Sequence, residues 1–302
     1  MALDRQSASI EEDQLVPMSN DAVSPGIVRV GAALNSKARI DGSNLESVNV
    51  DVAIIGTGIR LGHPDLNVYR DVSFADTRTG NDDHGHGTHC AGIAAARDNN
   101  ARVAGVAPGA RLWAVNVLDR SGGGSISNAI KGVDFVTRYF SAIEVANMSL
   151  GGGSSPTLNN PIANSVARGV AFVVAAGNSD VDAASSSPAN SLNVICVSAI
   201  VGTDGLPGGL GQGAGYSADD TFASLSNFGA GVDMAAPGLN ILSTYIGGGY
   251  ATMSGTSVAA PTSRARPGCT LAAGTSRGTL RPPLRPGRPA SLQATCRAAR
   301  AA

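Results

Sequence analysis

The chain has 302 residues, 43% of them hydrophobic, with 39 glycines and a net charge of −1; that length fits one large domain or two small ones, and the composition suits an α/β protein with tight turns. The charge is divided, because residues 262–302 hold eight arginines and no acidic residue, leaving −9 on the body. An acidic body offers no footprint for nucleic acid, and no apolar run approaches the roughly 18 residues of a membrane-spanning helix.

Residues 1–20 read as a flexible extension. Met1-Ala2-Leu3-Asp4-Arg5 opens no apolar segment and Glu11-Glu12-Asp13 is acidic, so no secretory signal is visible. Val50–Ile55 is short, apolar and β-branched, and predicts a buried parallel strand ending at Gly56-Thr57-Gly58. Small residues from His86 to Ala96 predict a helix, Arg111–Leu118 a strand, and Ser125–Tyr139 an amphipathic helix capped by Ser125 or Ser127. Strands follow at Val145–Ser149, Val170–Ala175 and Asn193–Ala199, with a helix over Asn159–Arg168. This alternation predicts right-handed crossovers and a doubly wound sheet, which presents ligands at the carboxyl ends of its strands. Gly202–Gly215 predicts a surface loop, and Gly247-Gly248-Gly249 a hairpin turn before Tyr250. Cys90 and Cys196 lie in apolar runs and read as buried thiols; with Cys269 and Cys296 in the tail, no disulfide framework is implied.

Two segments carry the chemistry. Ser257 stands in Gly255-Thr256-Ser257-Val258-Ala259-Ala260-Pro261, and His86 in His86-Gly87-Thr88-His89. A hydroxyl at a helix N-terminus and an imidazole whose small neighbours permit close approach are the parts of nucleophilic acyl transfer. His84, His86 and His89 also have a metal-like spacing. A His-x-His-x-Asp-His metallohydrolase, however, has aspartate where Thr88 stands, and the remaining histidine, His63, lies upstream.

Further segments appear in a fixed order: Ile54-Ile55-Gly56-Thr57-Gly58-Ile59, His63-Pro64-Asp65-Leu66, Asp83 to Gly92, Gly105-Val106-Ala107-Pro108, Asn147 to Gly152, Ala175-Ala176-Gly177-Asn178 and Gly255 to Pro261. Over roughly residues 20–261 the chain resembles the subtilisin-like serine proteases of the subtilase family (peptidase S8). The resemblance implies a three-layer α/β sandwich with a mostly parallel central sheet. It implies a serine endopeptidase working through a Ser257 acyl-enzyme, with His86 as base and acid and the Asn178 amide as oxyanion donor beside the Ser257 N–H. Ser149, Leu150, Gly151, Ala176 and Gly177 resemble the walls of the family's specificity pocket. Gly122, Gly123 and Gly124 resemble the edge that pairs with an extended peptide. No catalytic cofactor is implied. A structural calcium is, held by Asp65, Asn99 and the carbonyls of Arg97, Ala101 and Val103, since hard oxygen donors suit that ion. Polypeptide substrates, no nucleic-acid or membrane partner, and a monomeric state go with the family, whose members are commonly secreted.

The chain departs from the pattern twice. Gly56 stands where the family has its triad aspartate, the group that orients the histidine and stabilises its charged form. In a subtilisin, removing that aspartate alone costs about 3 × 10⁴ in turnover, a figure that belongs to that enzyme. Asp51 cannot stand in, because five residues of strand put it about 16 Å away. The expectation is a severely impaired enzyme; the alternative is a catalytically dead relative that at most binds peptide. After Pro261 the family continues into an apolar helix, whereas residues 262–302 are rich in Arg and Pro. They read as a disordered tail or the product of a shifted reading frame, leaving the 21–261 domain C-terminally incomplete and the product poorly soluble or molten.

Overall fold

A computed structural model of the chain describes residues 23–32, 38–42, 47–75, 77–215 and 217–263. The extension expected at 1–20 and the tail from 264 onward lie outside the described residues. In chain order the elements are α1 (Pro25–Arg29), β1 (Asp51–Gly56), β2 (Val68–Ser73), α2 (His86–Ala95), β3 (Arg111–Asn116), α3 (Ile126–Arg138), β4 (Val145–Met148), β5 (Gly152–Gly153), α4 (Pro156–Ala167) and β6 (Ala171–Ala175). They continue with β7 (Ser186–Ser187), β8 (Ile195–Ile200), β9 (Met234–Pro237), β10 (Ile241–Thr244), β11 (Tyr250–Met253) and α5 (Thr256–Thr262).

Seven parallel strands form the central sheet in the order β2-β3-β1-β4-β6-β8-β9. β1 shows how the sequence builds three layers from one sheet. All six of its residues are buried, and successive side chains point to opposite faces. Ala53 and Ile55 join Ala129, Val133 and Val136 of α3 and Leu158 and Ile162 of α4 in one core. Val52 and Ile54 meet Cys90, Ala91, Ala94 and Ala95 of α2 on the other. Ala259 and Ala260 of α5 pack against Val173 of β6 and Val197 and Ala199 of β8. The α/β sandwich with its parallel sheet is therefore as the sequence pattern predicts.

The caps explain where two helices begin. Ser125 accepts a hydrogen bond from the Asn128 N–H at the start of α3, so of the two serines Ser125 is the cap. The sequence pattern started the next helix at Asn159, but α4 begins at Pro156, capped by Ser155, which accepts from the Leu158 N–H. Proline at the first helical position loses no useful donor, which makes the earlier start favourable. At the other end of the fold, α5 runs to Thr262, one residue past the expected boundary. The Thr262 hydroxyl donates to the Val258 carbonyl, Ser263 donates to that of Ala260, and both residues are buried.

At the amino end of β1, Asp51 is buried and fully engaged. Arg111 donates to Oδ1 at 2.6 Å, the Trp113 indole N–H to Oδ2 at 2.8 Å, and the Asp51 N–H donates to Glu144. This carboxylate ties β1 to β3 and is held at the opposite end of the strand from Gly56.

Candidate active site

The expected site residues come from the carboxyl ends of neighbouring strands and the first turns of two helices. Ser149 follows β4 and Ala176 to Asn178 follow β6, while His86 opens α2 and Ser257 lies in the first turn of α5. His86, Ser257, Asn178, Gly122 to Gly124, Ser149 to Gly151, Ala176 and Gly177 all line one open cleft of about 820 Å³. Segments separated by 171 residues of chain, His86 and Ser257, thus share a wall.

Backbone chemistry sets up the serine. Gly255 precedes α5 with φ of +145°, a conformation that a side chain resists. A Cβ there would also meet the Asn178 amide nitrogen at 2.8 Å. The Ser257 carbonyl accepts the Ser149 hydroxyl at 2.8 Å, and Asn147 donates to Ser149 in turn. Because Ser257 is in the first turn, its own N–H has no acceptor within the helix and remains available to an oxygen in the cleft. Asn178 is also held in one orientation. Its Oδ1 accepts both the N–H and the hydroxyl of Thr256, at 2.8 and 2.9 Å. The amide nitrogen is thereby turned away from Thr256, as a donor.

His86 is carried by a helix that lies very close to the strand β1. The Gly87 N–H donates to the Thr57 hydroxyl oxygen at 2.9 Å, and a Cβ on Gly87 would collide with the Gly58 carbonyl. Burial lowers the pKa of His86, as does its neighbour His84, and the Asp82 carboxylate opposes them only in part. The neutral ring, the form that takes a proton from a hydroxyl, is thus favoured. Among the described residues neither ring nitrogen of His86 makes a hydrogen bond, to Ser257 or to anything else. Catalytic hydrogen bonds are often long in a free enzyme and tighten with substrate. Gly56 is buried, and a Cβ built on it meets no atom within 4 Å beyond its chain neighbours.

His84 and His89 do not join His86 in a cluster of metal ligands. The His84 Nδ1 accepts the His86 N–H. His89 points the other way, its Nε2–H shared between the carbonyls of Ile241 and Ala251 at 3.0 Å each. With Ser243 donating to the His89 carbonyl and Thr244 to that of Thr88, these bonds fasten α2 to the β10–β11 hairpin that leads to Ser257. Burial lowers the His89 pKa to about 4, the two carbonyls opposing that shift. The unfolded chain therefore binds the extra proton between pH 6.5 and 4, and the folded one does not. Stability should fall as pH drops through that window, by about 3 kcal/mol from this residue, and should stay flat above it. His63 and His86, both also lowered, add in the same direction. Melting temperatures from pH 4 to 8 test this: the wild-type slope in the window should be reduced in His89→Gln.

The sequence assigned no role to Asn227 or Thr256. Asn227 accepts the Ser179 and Val181 N–H groups and donates to the Ala176 carbonyl, which fixes the loop that carries Asn178. No local pattern announces such a long-range strut. Thr256 lay inside the serine segment, and only its hydrogen bonds reveal that it orients Asn178.

The calcium ligands expected from the resemblance lie in two neighbouring segments. Asp65 is fully buried, accepts the Tyr250 hydroxyl at 3.3 Å, and its carbonyl accepts the Arg97 N–H. Asn99 Oδ1 accepts the Ala101 N–H within its own turn. The Arg102 guanidinium stacks on the Tyr250 ring, whose hydroxyl donates to Asp65.

A parallel α/β sandwich that gathers a histidine, a first-turn serine and an oriented amide on one cleft defines a narrow class of protein. The chain belongs to the subtilase family, whose model matches residues 47–263. It is 40% identical over 263 residues to an alkaline protease of Alkalihalobacillus alcalophilus, a match that takes in 86% of this chain and 63% of that protein. It is also 40% identical over 238 residues to subtilisin Savinase of Lederbergia lenta, covering 78% of this chain and 79% of that one. Among solved structures, a cold adapted subtilisin-like serine proteinase superposes with a TM-score of 0.59 at 35% identity, over 72% of each chain. The chain spans about 63% of the length of the alkaline proteases it matches. No helix among the described residues is long and apolar enough to cross a membrane.

Proposed function

We propose that this cleft hydrolyses peptide bonds in extended polypeptides through an acyl-enzyme on Ser257, and does so slowly because Gly56 occupies the place of the orienting carboxylate. His86 takes the serine proton as the hydroxyl attacks the scissile carbonyl, then returns it to the leaving amine. The Asn178 amide and the Ser257 N–H receive the developing oxyanion. Gly122 to Gly124 and Gly151 let a peptide backbone approach and form strand-like hydrogen bonds. The protein acts as a monomer in this reading. The observation that carries it is the Thr256 clamp on Asn178, which aims an amide donor into the cleft that also holds Ser257 and His86. Ser257→Ala should abolish both the hydrolysis of a chromogenic peptide and labelling by a serine-directed phosphonate. Hydrolysis that survives the substitution would defeat the proposal.

The unbonded imidazole of His86 favours a second reading, a peptide-binding protein without turnover. Calorimetry with an uncleaved extended peptide separates the two: binding with no detectable turnover, unchanged in Ser257→Ala, supports the second.

We also propose a structural calcium. Asp65, Asn99 and the carbonyls of Arg97, Ala101 and Val103 would supply an all-oxygen set that includes a buried carboxylate, chemistry that suits the ion. It would tie the 97–103 loop to the segment after β1. With a single carboxylate and Arg102 nearby, affinity should be modest. Titration calorimetry should show one calcium bound, lost in Asp65→Asn; no heat from the folded chain would refute the site.

A further inference from the structure

Resting on that reading of Gly56, we propose that the space beside Gly56 is a binding site for a small free carboxylate, acetate being the best match, whose occupant acts as a detached orienting group for His86. The space lies at a buried glycine. A Cβ on Gly56 meets nothing within 4 Å, whereas one on Gly87 meets the Gly58 carbonyl and one on Gly132 meets three core side chains. Ile54 and Ile55, just before Gly56, are each 1% exposed. What a carboxylate in that space would gain is also on hand. The His86 ring lacks a hydrogen-bond partner among the described residues. Thr57, next in sequence, spends its oxygen on the Gly87 N–H, which leaves its hydroxyl proton free to point elsewhere. Thr57 and His86 both line the open cleft, so a small anion has a route in.

The ligand class follows from size and charge. Beyond Cα, an aspartate side chain has four heavy atoms: one saturated carbon and a carboxylate. Acetate has the same four, so glycine plus acetate replaces the missing group atom for atom. Two other titratable groups act on the His86 ring, His84 and Asp82. Asp82 already accepts the N–H groups of His84, Gly85 and Thr88 and the Thr88 hydroxyl, so it is committed to shaping the turn. The bound carboxylate accepts the second ring N–H of His86 while the ring takes the serine proton. It forms no covalent bond and leaves unchanged, an activator and not a substrate.

The experiment measures kcat/KM of the full chain on a chromogenic peptide against acetate, at constant ionic strength made up with chloride, with formate and the bulky trimethylacetate as size controls. Acetate should raise the rate saturably by about ten- to a hundredfold, part of the roughly 3 × 10⁴ that a subtilisin's triad aspartate supplies. Formate should do less, trimethylacetate nothing, and Gly56→Asp should be insensitive to all three. If Gly56→Asp gains activity and acetate does nothing, the reading of Gly56 stands and the carboxylate site is overturned. If neither gains, both fall. Equal stimulation of the two proteins, or no discrimination by size, marks a general salt effect and also overturns the site. Should turnover of the unmodified chain lie below detection, ¹⁵N-histidine spectra supply the readout, with His86 assigned by His86→Gln. Acetate should shift the His86 resonances saturably and raise its pKa, since a carboxylate partner favours the imidazolium; an unmoved titration overturns the site.

Discussion

Gly56→Asp is expected to raise kcat by about 10³ to 10⁴ per folded molecule, the scale set by removal of the corresponding aspartate from a subtilisin. The new carboxylate would hold the imidazole of His86 and stabilise its positive charge as the serine proton arrives. Its first atom meets no obstacle within 4 Å. The pH profile offers a second check. His86 now sits below the usual histidine range because of burial and His84; a facing carboxylate raises its pKa, and the acid limb of kcat/KM should move to higher pH. The helix after the serine is a separate matter. An apolar helical extension in place of the residues after Pro261 should raise folded yield and leave kcat per folded molecule alone. A two-by-two comparison of both changes separates them. An unmodified chain that already matches the Gly56→Asp rate would refute the role given to Gly56.

In the Gly56→Asp background, Asn178→Ala should lower kcat by about 10² to 10³ with little change in KM, the size of effect found for such a donor in a subtilisin. The asymmetry is the informative part, because an amide that meets only the developing oxyanion contributes to the transition state and not to ground-state binding. Thr256→Ala should produce a smaller loss of the same kind. It removes the hydroxyl bond to Asn178 Oδ1 and keeps both the backbone N–H bond and the amide donor. A matched rise in KM for Asn178→Ala would mean that the residue holds substrate instead.

What the sequence revealed depended on whether the signal was local. β1 was plain, since buried parallel strands are continuous apolar runs bounded by glycine. β2 was not, because Val68–Ser73 is an edge strand with exposed Tyr69, Arg70 and Asp71 and no apolar periodicity. β9 was hidden for another reason: Met234–Pro237 ends in proline, tolerated only because it lies at the sheet's edge. The cleft-lining segments could be named in advance because each has its own small-residue signature. The groups that position them could not. Asn227 acts on residues 46 to 51 positions away, and Thr256 matters through a bond to a residue 78 positions back. Contacts of that range leave no trace in a window of neighbouring residues.

The fastening of α2 to the β10–β11 hairpin bears on how such a chain ages. His89, Ser243 and Thr244 bolt the helix that presents His86 to the hairpin that feeds Ser257 through hydrogen bonds inside the fold. A lineage that ceased to need proteolysis would still be punished for loosening those bolts, because the punishment falls on folding. Histidine and serine would go on facing the same opening long after the chemistry lapsed, while a position such as Gly56, where an added Cβ would meet no atom within 4 Å beyond its chain neighbours, would be free to drift at once. In such an architecture the durable residues would record the scaffold's upkeep and not the chemistry.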